Sequence, residues 1–386
     1  MAGDKGSGSD LPGIYVHVPF CRRKCPYCDF YSVTETDWLP AWFDALCSEI
    51  RSVPKPEGPY DTIYIGGGTP SLLDDRQIGH LIETLFHHFN ISRDAEITVE
   101  VNPGTVSADL LKHYRAAGIN RINIGVQSFD DENLGFLGRI HSGAQSVEVL
   151  CQARKAGYEN IGLDLIYGLP GQTIEGWHRE LSSALDFSPA HLSCYLLTYP
   201  SGTPMAEALN QNRFTPLPEA ACGELFLITH DFLLRQGYDH YEISNYAAKA
   251  EKRSRHNQKY WQQVPYIGLG PAAHSYFNHI RYWNVASVQQ YVERVKSGSL
   301  PVEEREVLTV EQEMIEAIFL GLRCAEGICI ESFEDRLGID FHHRFRNVLF
   351  RNQEAGYLSL ARGRCALTRE GRLYADSIAE AFIQKI

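Results

Sequence analysis

The sequence predicts an α/β fold with a largely parallel sheet, followed by a small α+β unit that looks like a winged helix. Three observations predict it. Six apolar strands alternate with five amphipathic helices over the first half of the chain, with strand starts 26 to 48 residues apart. That rhythm marks βα units, in which each helix crosses back to begin a neighbouring parallel strand. The pattern changes after about residue 200, where Pro200, Pro204, Pro216 and Pro218 crowd together. A third pattern, three helices and then a hairpin, begins near Thr309.

The elements follow in order. Residues 1–12, rich in Gly, Ser and Asp, read as a flexible leader. Strands are expected at Gly13–Val18, Asp61–Ile65, Ala95–Val101, Arg121–Val126, Ile161–Ile166 and His191–Leu197, each rich in Ile, Val, Leu or Tyr. Helical periodicity lies between them, near Trp38–Arg51, Asp75–Asn90, Ser107–Ala117, Ala144–Ala156 and Ile174–Phe187. Two of these helices exit through glycine, at Ala116–Gly118 and Lys155–Gly157, which suits a left-handed C-terminal cap. Such units build either an open doubly wound sheet or a barrel. Residues 200–218 read as an irregular connection, followed by a helix, Glu219–Gln236, and a strand-like Tyr238–Ala247. Residues 249–283, crowded with Tyr, Trp, His, Gly and Asn, read as mostly loop carrying a site. The last unit holds helices near Val310–Arg323, Ile330–Leu337 and Phe341–Ala355, a hairpin in GYLSLARGRCALT, and a final helix, Arg369–Ile383.

Composition narrows the function. The chain has 386 residues, 44% hydrophobic and 22% charged, as in ordinary globular proteins, and is long enough for two or three domains. A net charge of −12 argues against nucleic acid or an anionic membrane as partner, because both are met by a positive field. Residues 342–372 carry seven Arg against two Glu, yet residues 301–386 hold 11 basic and 15 acidic side chains, so the winged-helix likeness does not imply DNA binding. No apolar run is long enough to cross a membrane as a helix, and the first ten residues carry no secretory signal. Ten cysteines in a chain without export belong to a reducing compartment, as thiols or metal ligands. The location expected is the cytoplasm, with peripheral association at a membrane left open.

The strongest local signal is Cys21, Cys25 and Cys28, a C-x3-C-x2-C directly after the first strand. Three thiols within eight residues can converge on one metal centre. A structural zinc site needs a fourth ligand, and the remaining seven cysteines are scattered singly. Three thiolates on a cubane iron–sulfur cluster leave one iron open, as catalytic centres do. Arg22, Arg23 and Lys24 are expected to favour the thiolates, and Phe20, Tyr27 and Phe30 to shield the centre.

This motif, with an aromatic before its last cysteine, resembles the radical S-adenosylmethionine (SAM) superfamily. The order YVHVPFCRRKCPYCDF, IGGGTPS, EVNPGT, GVQSF, LGRIH and DLIYGLPGQT resembles its oxygen-independent coproporphyrinogen III oxidase group, and most closely the heme chaperone branch, HemW. The resemblance spans residues 13–386. It implies an incomplete (βα)6 barrel over residues 13–248, a connecting segment over 249–308 and the winged-helix-like unit over 309–386. It implies a [4Fe–4S] cluster on Cys21, Cys25 and Cys28, with SAM chelated at the open iron and cleaved by one electron to methionine and a 5′-deoxyadenosyl radical. The SAM pocket so implied contains Tyr15, Tyr27, Gly67, Gly68, Thr69, Glu100, Gln127, Arg139 and Asp164. Within it the glycine run would let backbone approach the methionine amino group, Gln127 and Asp164 face the sugar, and Arg139 face the carboxylate. Several of these positions end predicted strands, where such barrels keep their functional residues.

A second constellation, HNxxYW at His256, Tyr260 and Trp261, resembles the heme chaperone signature. An imidazole suits heme iron, the two aromatic rings suit a porphyrin face, and Arg253 and Arg255 suit propionates. His274 and His17 are secondary candidates. Heme as cargo, heme-acceptor proteins and an electron donor such as flavodoxin or ferredoxin are the partners this resemblance implies. Two alternatives stay open: coproporphyrinogen III oxidase, and another radical enzyme acting on tetrapyrroles, such as a ring-opening methyltransferase. Against the oxidase stand Phe30, where that enzyme has a further cysteine, and the short segment before Tyr15.

Overall fold

The computed structural model describes residues 10–54 and 58–386. The leader therefore lies outside the described residues up to residue 9; Leu11 and Pro12, in contrast, are tied in, their carbonyls accepting from Lys259 Nζ and Asp61 N. Strands β1 (Gly13–Val18), β2 (Tyr60–Gly67), β3 (Ile91–Val101), β4 (Arg121–Gln127), β5 (Asn160–Tyr167) and β6 (His191–Leu196) run parallel in that order. β7 (Asp239–Glu242) and β8 (Asn245–Ala247) form a hairpin beyond β6. At the other edge come β9 (Tyr266–Leu269), β10 (His274–Phe277), β11 (Ile280–Asn284) and β12 (Val302–Val307), with β9 parallel to β1. The order β12-β11-β10-β9-β1-β2-β3-β4-β5-β6-β8-β7 has two ends, so the sheet is open rather than a closed barrel.

The apolar face of this sheet meets helices Leu39–Ser52, Asp75–His88, Ala108–Ala116, Gly143–Lys155 and Ile174–Leu185. Ile14, Val16, Val18, Ile63, Ile65, Val99, Ile122, Ile124 and Leu163 are all fully buried there. Two sequence expectations change. Residues 249–283 are a helix, Arg255–Trp261, and three strands, not mostly loop. Residues 200–218 contain a helix, Pro204–Asn210, capped by Thr203 with proline at its first position, where the missing N–H costs nothing. The late strands are fixed to the first helix by Glu49, a buried carboxyl that accepts from Gly270 N, Asn284 Nδ2 and Tyr291 OH.

Residues 310–386 hold an antiparallel three-stranded sheet, β13 (Ile328–Cys329), β14 (Leu358–Ala361) and β15 (Arg364–Leu367), with helices Val310–Arg323, Ile330–Leu337, Phe341–Glu354 and Ala375–Ile383. Its own core centres on Ile318, Phe341, Phe345, Cys365 and Phe382. Among the described residues no helix is long and apolar enough to cross a membrane.

Candidate functional site

Each parallel strand carries small or polar residues at alternate positions facing away from the helices. Tyr15 and His17 lie on β1, Thr62, Tyr64 and Gly66 on β2, Glu96, Thr98 and Glu100 on β3, Arg121, Asn123 and Gly125 on β4, and Gly162 and Asp164 on β5. The two-residue period of a strand places each set on one face, so the concave interior of the sheet is polar. Buried polar groups need partners, and the interior supplies many of them to one another, as between Tyr64 and Glu100 or Asn123 and Asp164.

At the C-terminal ends of the strands this interior opens into a cavity of about 580 Å³. Cys21, Cys25 and Cys28 line it together with Tyr27, Gly67, Gly68, Thr69, Glu100, Gln127, Arg139 and Asp164. Tyr15 is the exception among the expected residues. It stacks on Tyr64 and His256 inside the sheet, and its hydroxyl donates to His17 Nδ1.

The cysteine loop leaves β1 and is pinned at both ends. Cys21 N donates to Val33 O, and Met205 N reaches Pro26 O. Thr69 Oγ1 donates to Cys21 Sγ at 3.4 Å and Arg139 Nη1 to Cys25 Sγ at 3.5 Å. Burial raises the Cys28 thiol, and the charges of Cys25 and Cys21 raise it further. Cys21 and Cys25 are thus near enough to act on Cys28. Three thiols lining one cavity fit a multi-iron cluster in which three irons each take one of them. Two expectations are corrected here. Arg22, Arg23 and Lys24 are exposed, and at Cys28 burial outweighs the pull of Lys24. Phe30, 66% exposed, lines the cysteine cavity at its rim, while Phe20 sits in the core against Trp42.

The glycine run is needed for close packing. Gly67 has φ +107°, and a side chain there would meet His17 at 2.5 Å. A Cβ on Gly68 would lie 2.7 Å from the Phe20 carbonyl oxygen. Their N–H groups are already used, Gly67 by Glu100 Oε2 and Gly68 by Val18 O. The glycines therefore bring β1 and β2 together behind the cysteine loop, and their amides are not free donors.

Three polar side chains remain poised. Glu100 accepts from Tyr64 OH at 2.8 Å and from Gly67 N, and burial raises its carboxyl to about 7. Asp164 accepts from Asn123 Nδ2 at 2.6 Å, its carboxyl also raised by burial, and its Oδ1 has no hydrogen-bond partner. Arg139 donates to Gly125 O and Cys25, leaving Nε unpartnered. Gln127 adopts φ +66° where the β4–β5 register slips, a strained conformation of the kind held at functional sites. Orphaned buried polar atoms beside three thiols fit a polar cofactor seated on a cluster. Sequence reading missed Tyr64 and Asn123, which set Glu100 and Asp164. The signal was present as polar alternation within YDTIYIGG and RINIGVQ.

His256 lies elsewhere. The helix Arg255–Trp261 plugs the N-terminal end of the sheet, opposite the cysteines. His256 is fully buried, with Nδ1 2.8 Å from Thr62 Oγ1 and Nε2 2.9 Å from Tyr260 OH. Burial first, then Lys259 and Arg121, lower its pKa to about 3, so it is neutral. Asp61, itself buried, pairs with Lys259 at 2.6 Å and Arg255 at 2.9 Å. Arg253 is held by Asp239 and Glu326, and Arg323 stacks 4.6 Å over Trp261. His256, Tyr260 and Trp261 thus form no open face for a porphyrin, and Arg253 and Arg255 are already paired: both imidazole nitrogens are occupied and the motif locks the sheet's lower end. His17 is likewise buried, donating to Tyr31 O, whereas His274 is exposed and stacks on Trp283.

Comparison with known proteins agrees with this architecture. The Radical SAM superfamily profile matches residues 15–182, and that of the HemN C-terminal domain matches residues 308–374. Heme chaperone HemW of Bacillus subtilis (strain 168) is 33% identical over 382 residues, covering 97% of this chain and all of that protein. Heme chaperone HemW of Escherichia coli (strain K12) is 40% identical over 268 residues, 68% of this chain and 69% of that one. The solved structure of coproporphyrinogen III oxidase (HemN) from Escherichia coli, described as a radical SAM enzyme, superposes with a TM-score of 0.84 at 24% identity. It covers 98% of this chain and 92% of that one, a likeness of fold. With a relative one-third identical from end to end, and a cysteine loop and polar sheet interior of the matching kind, the chain belongs to the HemW heme chaperone family of the radical SAM superfamily.

Proposed function

We propose that this chain carries a [4Fe–4S] cluster on Cys21, Cys25 and Cys28, binds SAM beside it, and holds heme for delivery to acceptor proteins. The observation that carries the reading is the shared cavity: three thiols and eight further expected residues line one polar pocket at the strand ends. When bound, such a cluster supplies a single electron and an iron with an open position. The chain's own groups do the rest. Arg139 offsets negative charge at Cys25. Glu100, fixed by Tyr64, offers a carboxylate to ammonium or hydroxyl donors, and Asp164 Oδ1 offers an acceptor to a sugar hydroxyl. The strained Gln127 is held in the wall between them. An electron carrier of the flavodoxin or ferredoxin kind and a cytoplasmic location belong to this reading, and ten free thiols suit a reducing compartment.

The oxidase reading is the weaker one. Its further cysteine is replaced by Phe30 on the exposed rim. SAM titration of the anaerobically reconstituted protein tests the pocket. Losing one charge-assisted contact removes about 1.5–3 kcal/mol, so Glu100→Ala and Asp164→Ala proteins with full iron content should each bind SAM about 10- to 100-fold more weakly. Unchanged affinity in both contradicts the assignment.

A further inference from the structure

A second cavity, of about 1100 Å³, lies between the sheet and the C-terminal unit. We infer that it is the heme seat: a slot for a flat, apolar dicarboxylate, with Arg372 as the carboxylate-binding residue. The inference rests on the heme reading above and gives it a location other than His256.

Its walls come from both parts of the chain. Tyr167 and Leu196 stand at the exits of β5 and β6, Gly223 and Phe226 on the helix Glu219–Arg235, and Phe319 and Tyr374 on the C-terminal unit. Leu196, Phe319 and Tyr374 are 40%, 44% and 46% exposed, large side chains that the described residues leave uncovered. The volume lies just above the usual range for small-molecule sites, about 300–1,000 Å³. That is room for a tetrapyrrole. The cavity also shares Leu196, Leu197 and Ser244 with the cysteine-lined pocket, so its occupant would lie alongside the cluster site.

The charges single out the ligand class. Of the two arginines in the lining, Arg323 is paired with the buried Glu242 at 2.7 Å. Arg372 is half-buried and makes no ion pair among the described residues. Its contacts are His240 Nδ1 at 2.6 Å and the His240 carbonyl at 3.4 Å. His240 is itself neutral, its Nε2 donating to Ile243 O, and burial pushes its pKa well down. The carboxylates of Glu242 and Asp239 act on Arg372, but each is paired with another arginine, Glu242 with Arg323 and Asp239 with Arg253, so this half-buried guanidinium has room for a carboxylate of its own. The acids of the lining, Glu219, Glu224 and Asp376, are exposed and stand at its rim. Two donor atoms for iron are also spare. Tyr199 OH is buried without a hydrogen-bond partner, and Cys222 Sγ has only a 3.7 Å contact to Leu217 O.

The test is a heme titration of the anaerobically reconstituted full chain, followed at the Soret band, with heme dimethyl ester in parallel. Gly223→Phe fills the slot: a Cβ there meets only Leu373 Cδ2, at 3.6 Å, and a helix interior favours any such residue over glycine. It should weaken heme binding at least tenfold while iron content is kept. Arg372→Gln should weaken heme about 10- to 100-fold and leave the dimethyl ester little changed. Wild-type protein that binds heme, with Gly223→Phe binding it equally well, overturns the cavity assignment and leaves the heme reading standing. Equal losses for heme and ester in Arg372→Gln overturn the role of Arg372. Wild-type protein that binds no heme overturns both the cavity and the heme reading.

Discussion

Cys28→Ala protein, reconstituted without oxygen, should lose most of its iron. A [4Fe–4S] cluster held by three thiolates has no spare protein ligand, because its fourth iron is open. Removing any one of Cys21, Cys25 and Cys28 leaves two. The wild type should bind about four irons and four sulfides per chain and bleach in air. The expected loss is nearly complete for each variant, since the other cysteines do not line the pocket. Cys324→Ala is the control. Its sulfur lies on the helix end at the C-terminal unit, donating to Leu320 O, and iron content there should be that of wild type. Full iron in Cys28→Ala, with loss in Cys324→Ala, would overturn the ligand assignment.

His256→Ala should act on folding before it acts on heme. The change empties a fully buried site and strips partners from Thr62 Oγ1 and Tyr260 OH. Each buried polar group left unsatisfied costs about 1–3 kcal/mol, so the two unpaired hydroxyls cost about 2–6 kcal/mol, and the void adds to that. The thermal midpoint should fall by many degrees. The pH dependence gives a second readout. His256 is neutral in the fold, with a pKa lowered from 6.5 to about 3. The unfolded chain therefore binds a proton that the folded chain refuses between those values. Wild-type stability should decline as pH falls from about 6.5 toward 3, and His256→Ala should lose that part of the slope. Below its melting temperature the variant should retain heme with an unshifted Soret band. A Soret shift without loss of stability would place His256 on the iron instead.

The sequence was legible where apolar periodicity and capping agree. Gly13–Val18, Val310–Arg323 and Ile330–Leu337 coincide with the folded elements, because each is an apolar run bounded by a turn residue or cap. The cysteines and strand-end residues were legible because strand order alone brings strand ends to one mouth. Residues 249–283 were not. Their strands are four or five residues long and carry buried polar groups such as Ser275 and Asn284, so no apolar alternation marks them. Pro204 reads as a breaker although it opens a helix. The surroundings of His256 were hidden for a deeper reason. Its partners Thr62 and Glu96 stand 194 and 160 residues away, and nothing local distinguishes a plug histidine from a ligand. The Arg372 slot was hidden for the same reason, since its walls come from the sheet, one helix and the last unit.

As proposed, this chain carries heme and does not make porphyrin. The direct measurement offers the reconstituted protein, with SAM and a reductant, coproporphyrinogen III in one assay and heme with an apo-hemoprotein acceptor in another. Stoichiometric heme binding, transfer to the acceptor and no protoporphyrinogen are the results predicted. Protoporphyrinogen formed over many turnovers, with no heme retained, would contradict it.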